Sequence, residues 1–155
     1  MGLQRSRPSH EILSGATADV YFARASSILD REGLDPVVLM EVFCREDAVL
    51  CGMRDATNLI GHVLANEPGA IVEALEDGDL VTPKEVVLRI RARYRAFALY
   101  ETAMLGMLSQ STGWATAARE CVEAAAPQPV ISFGARHVHP DITDVLDYAA
   151  IVGGC

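Results

Sequence analysis

The chain has 155 residues, the size of one ordinary domain, with 13 Lys+Arg against 21 Asp+Glu and a formal net charge of −8. Hydrophobic residues make up 50% and charged residues 22%, a globular composition, and the acidic balance (pI ≈ 4.9) speaks against general nucleic-acid binding or a polybasic membrane surface. No apolar run approaches the ~18 residues that span a bilayer, and the polar start Met1-Gly2-Leu3-Gln4-Arg5-Ser6-Arg7-Pro8 lacks the apolar stretch of a secretory signal, so a soluble, intracellular protein is expected.

Cysteine usage agrees with that expectation. Cys44, Cys51, Cys121 and Cys155 form no C-x-x-C pair, and a chain of this apolar content needs no disulfide staples. Reduced, structural thiols are expected. A metal site joining His137 and His139 to distant cysteines is specified by nothing in the spacing.

In chain order, Ser9-His10-Glu11-Ile12-Leu13 starts a short helix that Ser14-Gly15 ends. Asp19-Val20-Tyr21-Phe22-Ala23-Arg24 leads toward Ile28-Leu29, with a helix stop at Glu32-Gly33. Pro36 opens Val37-Val38-Leu39-Met40-Glu41-Val42-Phe43, whose imperfect alternation reads as a largely buried strand. The polar turn Arg45-Glu46-Asp47 makes residues 48–53 its expected hairpin partner. Residues 54–64 read as a helix with Ala56, Leu59, Ile60 and Val63 on one face. Residues 71–75 and Leu80-Val81 read as short strands around a tight reversal at Glu76-Asp77-Gly78-Asp79. Residues 84–91 alternate, with Val86, Leu88 and Ile90 on one face, and predict a half-solvated strand.

Two helices are expected next. In residues 94–110 apolar side chains occur all round the wheel, which suits a helix buried between other elements and asks for a partner to Glu101. After Ser111-Thr112-Gly113 a second stripe holds Trp114, Ala117, Ala118, Cys121, Val122 and Ala125, its alanines permitting close approach of a neighbour. Pro127-Gln128-Pro129 is the clearest boundary. Beyond it Val130-Ile131-Ser132-Phe133 reads as a short buried strand, 134–139 as a loop, and Pro140 as the first turn of a helix favoured by Asp141 and Asp144. Ile142, Val145, Leu146 and Ala149 supply the apolar stripe of that helix.

Chemistry concentrates in Phe133-Gly134-Ala135-Arg136-His137-Val138-His139-Pro140, where a cation and two imidazoles precede a helix N-terminus. Such a place suits phosphate or carboxylate groups, which Arg136 can grip through two parallel bonds. The other reading is a surface Arg136 paired with Asp141 or Asp144. The adjacent aromatics of Asp19-Val20-Tyr21-Phe22 are either core or a ligand platform, and Glu101-Thr102 either functional or an anchor for a buried helix. Nucleophile-elbow, P-loop, dinucleotide-binding and zinc-protease motifs are missing from the sequence.

Four segments together resemble the nicotinate phosphoribosyltransferase family: Thr17-Ala18-Asp19-Val20-Tyr21-Phe22-Ala23-Arg24, Tyr100-Glu101-Thr102-Ala103-Met104-Leu105-Gly106, the 133–140 segment, and Tyr148-Ala149-Ala150-Ile151-Val152-Gly153-Gly154. They occur in the family's order along nearly the whole chain. The resemblance implies a cytoplasmic enzyme of NAD biosynthesis that joins nicotinate to 5-phosphoribosyl 1-pyrophosphate, giving nicotinate mononucleotide and pyrophosphate with coupled ATP hydrolysis. It implies an α+β or α/β fold, with a layered N-terminal domain over residues 1–126 and the first strand and helix of an incomplete α/β barrel over 127–155. By matching position, Phe133 would stack beneath the pyridine ring and Tyr21 of a second subunit would cover its other face. Arg136 would hold phosphate or pyrophosphate oxygens, Asp19 would organise the Tyr21 segment in a homodimer, and His137 would neighbour the ligand. Mg²⁺ on the pyrophosphate is implied, with no ligand motif visible. The resemblance stops before most of the barrel and before the histidine phosphorylated in ATP coupling. The chain is therefore expected to be an N-terminal part, inactive alone and prone to associate; the alternative is a non-catalytic module for dimerisation or small-anion binding.

Overall fold

The computed structural model describes residues 8–155; residues 1–7, read above as lacking a secretory signal, lie outside the described residues. The central element is β5 (Val86–Arg93), flanked by β1 (Val37–Phe43) and β3 (Ile71–Ala74), both antiparallel to it, in the order β1-β5-β3. Register pairs Leu39 and Ile71 with Arg91, and Met40 and Val72 with Ile90. Alternation thus puts Leu88, Ile90 and Ala92 into the core and Arg89, Arg91 and Arg93 on the open face. Arg89 bonds Glu41 and Glu73 across the strands, while Arg93 grips Glu67 at 2.6 and 2.7 Å.

Among the described residues only one face of this sheet is covered. The expectation of a largely buried β1 is therefore corrected: it is an edge strand, and Val37, Leu39 and Phe43 are exposed on its open side. The covered face meets α3 (Met53–Val63) and the segment 94–108, with Leu59, Ile60, Phe97 and Met104 fully buried between them.

The expected hairpin over 48–53 is also corrected. Only Ala48–Val49 form a strand, β2, and it pairs with β4 (Leu80–Val81) rather than β1. Likewise β3 and β4 do not pair with each other; each finds its partner in a different sheet. Met53 is no strand residue because Gly52, with φ +90°, turns the chain and the Asp77 carboxylate accepts from the N–H groups of Met53 (2.7 Å) and Arg54 (3.4 Å), starting α3 there.

The two helices expected on either side of Ser111-Thr112-Gly113 are one. After α4 (Tyr94–Phe97) and a 3-10 turn over Ala98–Tyr100, α5 runs unbroken from Glu101 to Ala125. Of the residues that suggested a break, Thr112 is bonded to the chain just beyond β2. The Thr112 hydroxyl donates to the Cys51 carbonyl (3.0 Å) and accepts from its N–H (3.1 Å), and the Thr116 hydroxyl accepts from Val49 N–H (3.0 Å). Nor is the helix buried all round, because Leu105, Gly106, Ser109 and Gln110 are exposed.

Beyond the cis Ala126–Pro127 bond, residues 130–133 are not a strand, which corrects that expectation. No ladder partner lies beside them among the described residues, and Ile131 and Phe133 are exposed. Pro140 does open a helical segment: a 3-10 turn over Pro140–Ile142 leads into α6 (Thr143–Val152). This helix returns onto α5. A Cβ at Gly153 would collide with the Ala115 carbonyl and the Ala118 methyl, so the approach depends on small residues.

Candidate active site

The residues singled out from sequence fall into two regions. The first is the start of α2 (Val20–Arg31). Asp19 occupies its N-cap position with extended backbone (φ −63°, ψ 137°), yet makes no capping bond to its own helix. Its Oδ2 accepts from the Thr102 hydroxyl at 3.1 Å, and its N–H donates to the same hydroxyl oxygen at 3.1 Å. The next turn sends Phe22 into the core and Tyr21 outward, 55% exposed, with the two rings 4.2 Å apart. Partial removal from water and then the carboxylates of Asp19 and Glu101 raise the Tyr21 phenol above its usual range. Burial, and secondarily Asp19, raises the Glu101 carboxyl.

The second region is the 3-10 turn Gly134–Arg136. A Cβ at Gly134 would strike the Leu146 side chain of α6, so glycine lets this turn lie flat against the helix. On either side, Phe133 is exposed and the Arg136 guanidinium stands over its ring, 5.8 Å from the centroid, within cation–π range. His137 closes the turn through its N–H to the Gly134 carbonyl (2.8 Å), leaving its side chain in solvent. His139 Nδ1 accepts from Asp141 N–H at 3.2 Å and sits 3.5 Å from that carboxylate. Among the described residues Arg136 forms no ion pair with Asp141 or Asp144. Among the described residues the guanidinium has the Phe133 ring beside it and no ion-pair partner, which suits it to meet an anion.

The structure thus unites Phe133 with Arg136, and Asp19 with the Tyr21 segment. Among the described residues no hydrogen bond, ion pair or ring contact joins the two regions within one copy. A cavity of about 890 Å³ between the β1–β2 loop and α5 touches the first region through Glu101. Met40, Val42, Leu105 and Leu108 floor it and Glu101 and Glu120 stand at its rim, but Asp19, Tyr21, Phe133, Arg136 and His137 do not line it. Among the described residues no three His, Cys, Asp or Glu side chains converge. The residues present do not fit a protein-held Mg²⁺ site. Sequence reasoning missed the Thr102–Asp19 pairing and the role of Gly134. An Asp at a helix start carries a capping signal, and nothing local shows that its partner lies 83 positions away.

The open-faced α/β layer continues through a proline-rich segment into an arginine-bearing turn, and comparison with known proteins places the chain in a family. The family described as "Quinolinate phosphoribosyl transferase, N-terminal domain" matches residues 19–112, more than half the chain, and the chain belongs to it. A nicotinate phosphoribosyltransferase of Mycobacterium tuberculosis is 30% identical over 83 residues, covering 54% of this chain and 18% of that protein. The crystal structure of nicotinate-nucleotide pyrophosphorylase from Pyrococcus furiosus superposes with a TM-score of 0.85 at 39% identity, covering all of this chain and 40% of that one. Human nicotinic acid phosphoribosyltransferase shares the fold, with a TM-score of 0.75 at 21% identity over 88% of this chain and 34% of its own. The chain spans less than half the length of each of these relatives. No helix among the described residues is long and apolar enough to cross a membrane.

Proposed function

We propose that this chain is the ring-binding N-terminal part of a phosphoribosyltransferase of NAD biosynthesis, acting in the cytoplasm as a homodimer, that joins nicotinate to 5-phosphoribosyl 1-pyrophosphate. The observation that carries the reading is the Phe133–Arg136 pair: an exposed aromatic face with an unpaired guanidinium 5.8 Å away. A flat pyridine carboxylate needs both, a ring to lie on and a cation within reach of its anionic partners. In the reaction the pyridine nitrogen forms its bond to ribose C1 as the bond from C1 to the pyrophosphate oxygen breaks. Pyrophosphate departs with the bonding electrons. Positive charge develops on the ribose and then rests on the pyridinium nitrogen, while Arg136 favours the leaving anion. Tyr21, kept as a neutral phenol, offers a second aromatic face from the other subunit without exchanging a proton with the ring. Identity to a nicotinate enzyme supports nicotinate as the pyridine substrate. The same reading brings ATP and Mg²⁺ to the reaction, with no residue here assigned to hold them.

The test is calorimetric titration of the purified protein with nicotinate and with quinolinate, each in the presence of 5-phosphoribosyl 1-pyrophosphate. Nicotinate is expected to bind more tightly, and Phe133→Ala and Arg136→Ala each to weaken it at least fivefold, on the order of one lost aromatic or charge-assisted contact. Preference for quinolinate, or nicotinate affinity indifferent to Arg136→Ala, rejects the reading.

A further inference from the structure

We infer that Thr102 is a positioning residue for Tyr21: its hydroxyl fixes the first turn of α2 on α5 and thereby the direction in which the Tyr21 ring points. The inference deepens the ring-binding reading above and rests on it for its meaning, though not for its geometry.

α2 is weakly held by its own packing. Of its 12 residues only Phe22 is buried. With Phe22 buried and Ala25 and Leu29 half-buried, α2 rests on a narrow apolar strip, so polar contacts at its two ends help to set its orientation. At the C-terminal end Arg95 pairs with Asp30 at 2.8 Å, both side chains in contact with solvent, so that end is loosely tethered. At the N-terminal end the contacts also meet solvent, but two of them converge on one residue. Thr102 Oγ1 is at once donor to Asp19 Oδ2 and acceptor from Asp19 N–H, each at 3.1 Å. Two bonds to one residue fix its backbone and its side chain together, and one of them ends on a charged oxygen.

The arrangement also explains an anomaly in Asp19. Aspartate at an N-cap ordinarily turns back to the N–H groups of its own first turn. Here the carboxylate faces α5, and the stabilisation a cap would give is exchanged for a tie to another helix. Upstream contacts hold the same neighbourhood. The Tyr100 hydroxyl donates to the Leu13 carbonyl at 3.3 Å, and Gly15, at φ +76°, lies directly on the Leu99 side chain. Residues 99–102 thus form one platform, and Thr102 is its contact nearest Tyr21. Valine at 102 keeps shape and volume and loses both bonds; serine keeps both bonds.

The test compares wild type with Thr102→Val and Thr102→Ser, each carrying fluorotyrosine, with the Tyr21 resonance assigned by its loss in Tyr21→Phe. In the valine variant the Asp19 amide should exchange roughly tenfold faster, the factor for a lost hydrogen bond to a fixed partner. The Tyr21 resonance should shift or broaden while the Ile90 and Ala92 amides of β5 exchange as before. Serine should restore both signals. An Asp19 amide or a Tyr21 resonance that ignores Thr102→Val overturns the inference, as does a serine variant indistinguishable from valine. Nicotinate titration of the same three proteins separates the two ideas. If wild type binds nicotinate, the valine variant should bind at least threefold more weakly; unchanged affinity with a displaced ring overturns the positioning role. If none of the three binds nicotinate, the functional reading fails while the exchange and resonance data still decide whether Thr102 sets the Tyr21 ring.

Discussion

Replacing Asp77 with alanine removes three interactions from different parts of the fold. Asp77 Oδ1 accepts from Met53 N–H at 2.7 Å, and Oδ2 accepts from Arg54 N–H at 3.4 Å and from the Tyr148 hydroxyl at 3.1 Å. The residue at the N-cap of α3 is Gly52, which has no side chain, so this distant carboxylate is the helix's cap. Loss of a cap costs about 1 kcal/mol, and loss of a negative charge at a helix N-terminus a further ~0.5 kcal/mol. The stranded Tyr148 hydroxyl, partly buried beneath Arg54 at 4.1 Å from its ring, adds about 1 kcal/mol. The sum is roughly 2–3 kcal/mol, and at about 2–4 °C per kcal/mol for a domain of this size the midpoint should fall by about 4–12 °C. Thermal and urea unfolding followed by helical circular dichroism and Trp114 fluorescence measure it. Asp77→Asn keeps an acceptor without the charge and should lose about half as much. A loss under about 0.5 kcal/mol in the alanine variant would show that α3 starts without this carboxylate and would refute the reasoning.

Gly113 lies exposed inside α5 with open space where a Cβ would stand, so Gly113→Ala should stabilise by about 0.5–1 kcal/mol; destabilisation in urea would mean that the helix breaks there after all. Burial, then Asp77, pushes the Cys51 thiol up to about 12, and burial, then Asp77, pushes the Tyr148 phenol up to about 12. Both folded values exceed the unfolded ones, so the stabilisation is complete below about pH 9 and is lost as pH rises toward 12. Urea midpoints should therefore drop across that window, and Tyr148→Phe should flatten its upper part, from pH 10 upward.

What the sequence revealed and what it concealed divide on a physical line. The alternation through Leu88 and Ile90 announces β5 because a half-covered sheet writes its two faces into alternate residues, although Val87, on the other face of that pattern, is buried too. The helix after Pro140 is announced by proline and two aspartates at its start. Misreadings arose where a local signal was answered by a distant partner. Ser111-Thr112-Gly113 has the composition of a turn, yet the Thr112 hydroxyl is bonded to Cys51 across 61 positions. β2 is two residues long, too short for any periodicity, and its pairing with β4 depends on the chain's path between them. Val130-Ile131-Ser132-Phe133 has a strand's composition without a neighbour to complete a ladder. In the candidate site, Phe133 and Arg136 were legible because they lie three positions apart on one turn, whereas the Asp19–Thr102 bond joins two helices that no sequence pattern links.

α5 acts as a ruler between the parts it touches. Thr102 holds Asp19 near its start and Ala115 receives Gly153 further along, a separation of about 20 Å at 1.5 Å per residue. Along the same stretch the Thr112 and Thr116 hydroxyls, one turn apart, are keyed to Cys51 and to Val49 of β2. Adding or removing a single residue between two of these points would swing one relative to the other by about 100° and shift it by 1.5 Å, so attachments on opposite sides of the change could not both be kept. Side chains on the helix's exposed positions are free to vary, but its length between 102 and 116 is not. Relatives that preserve both attachments should therefore show substitutions here and no insertions, with changes of length confined to the connections on either side.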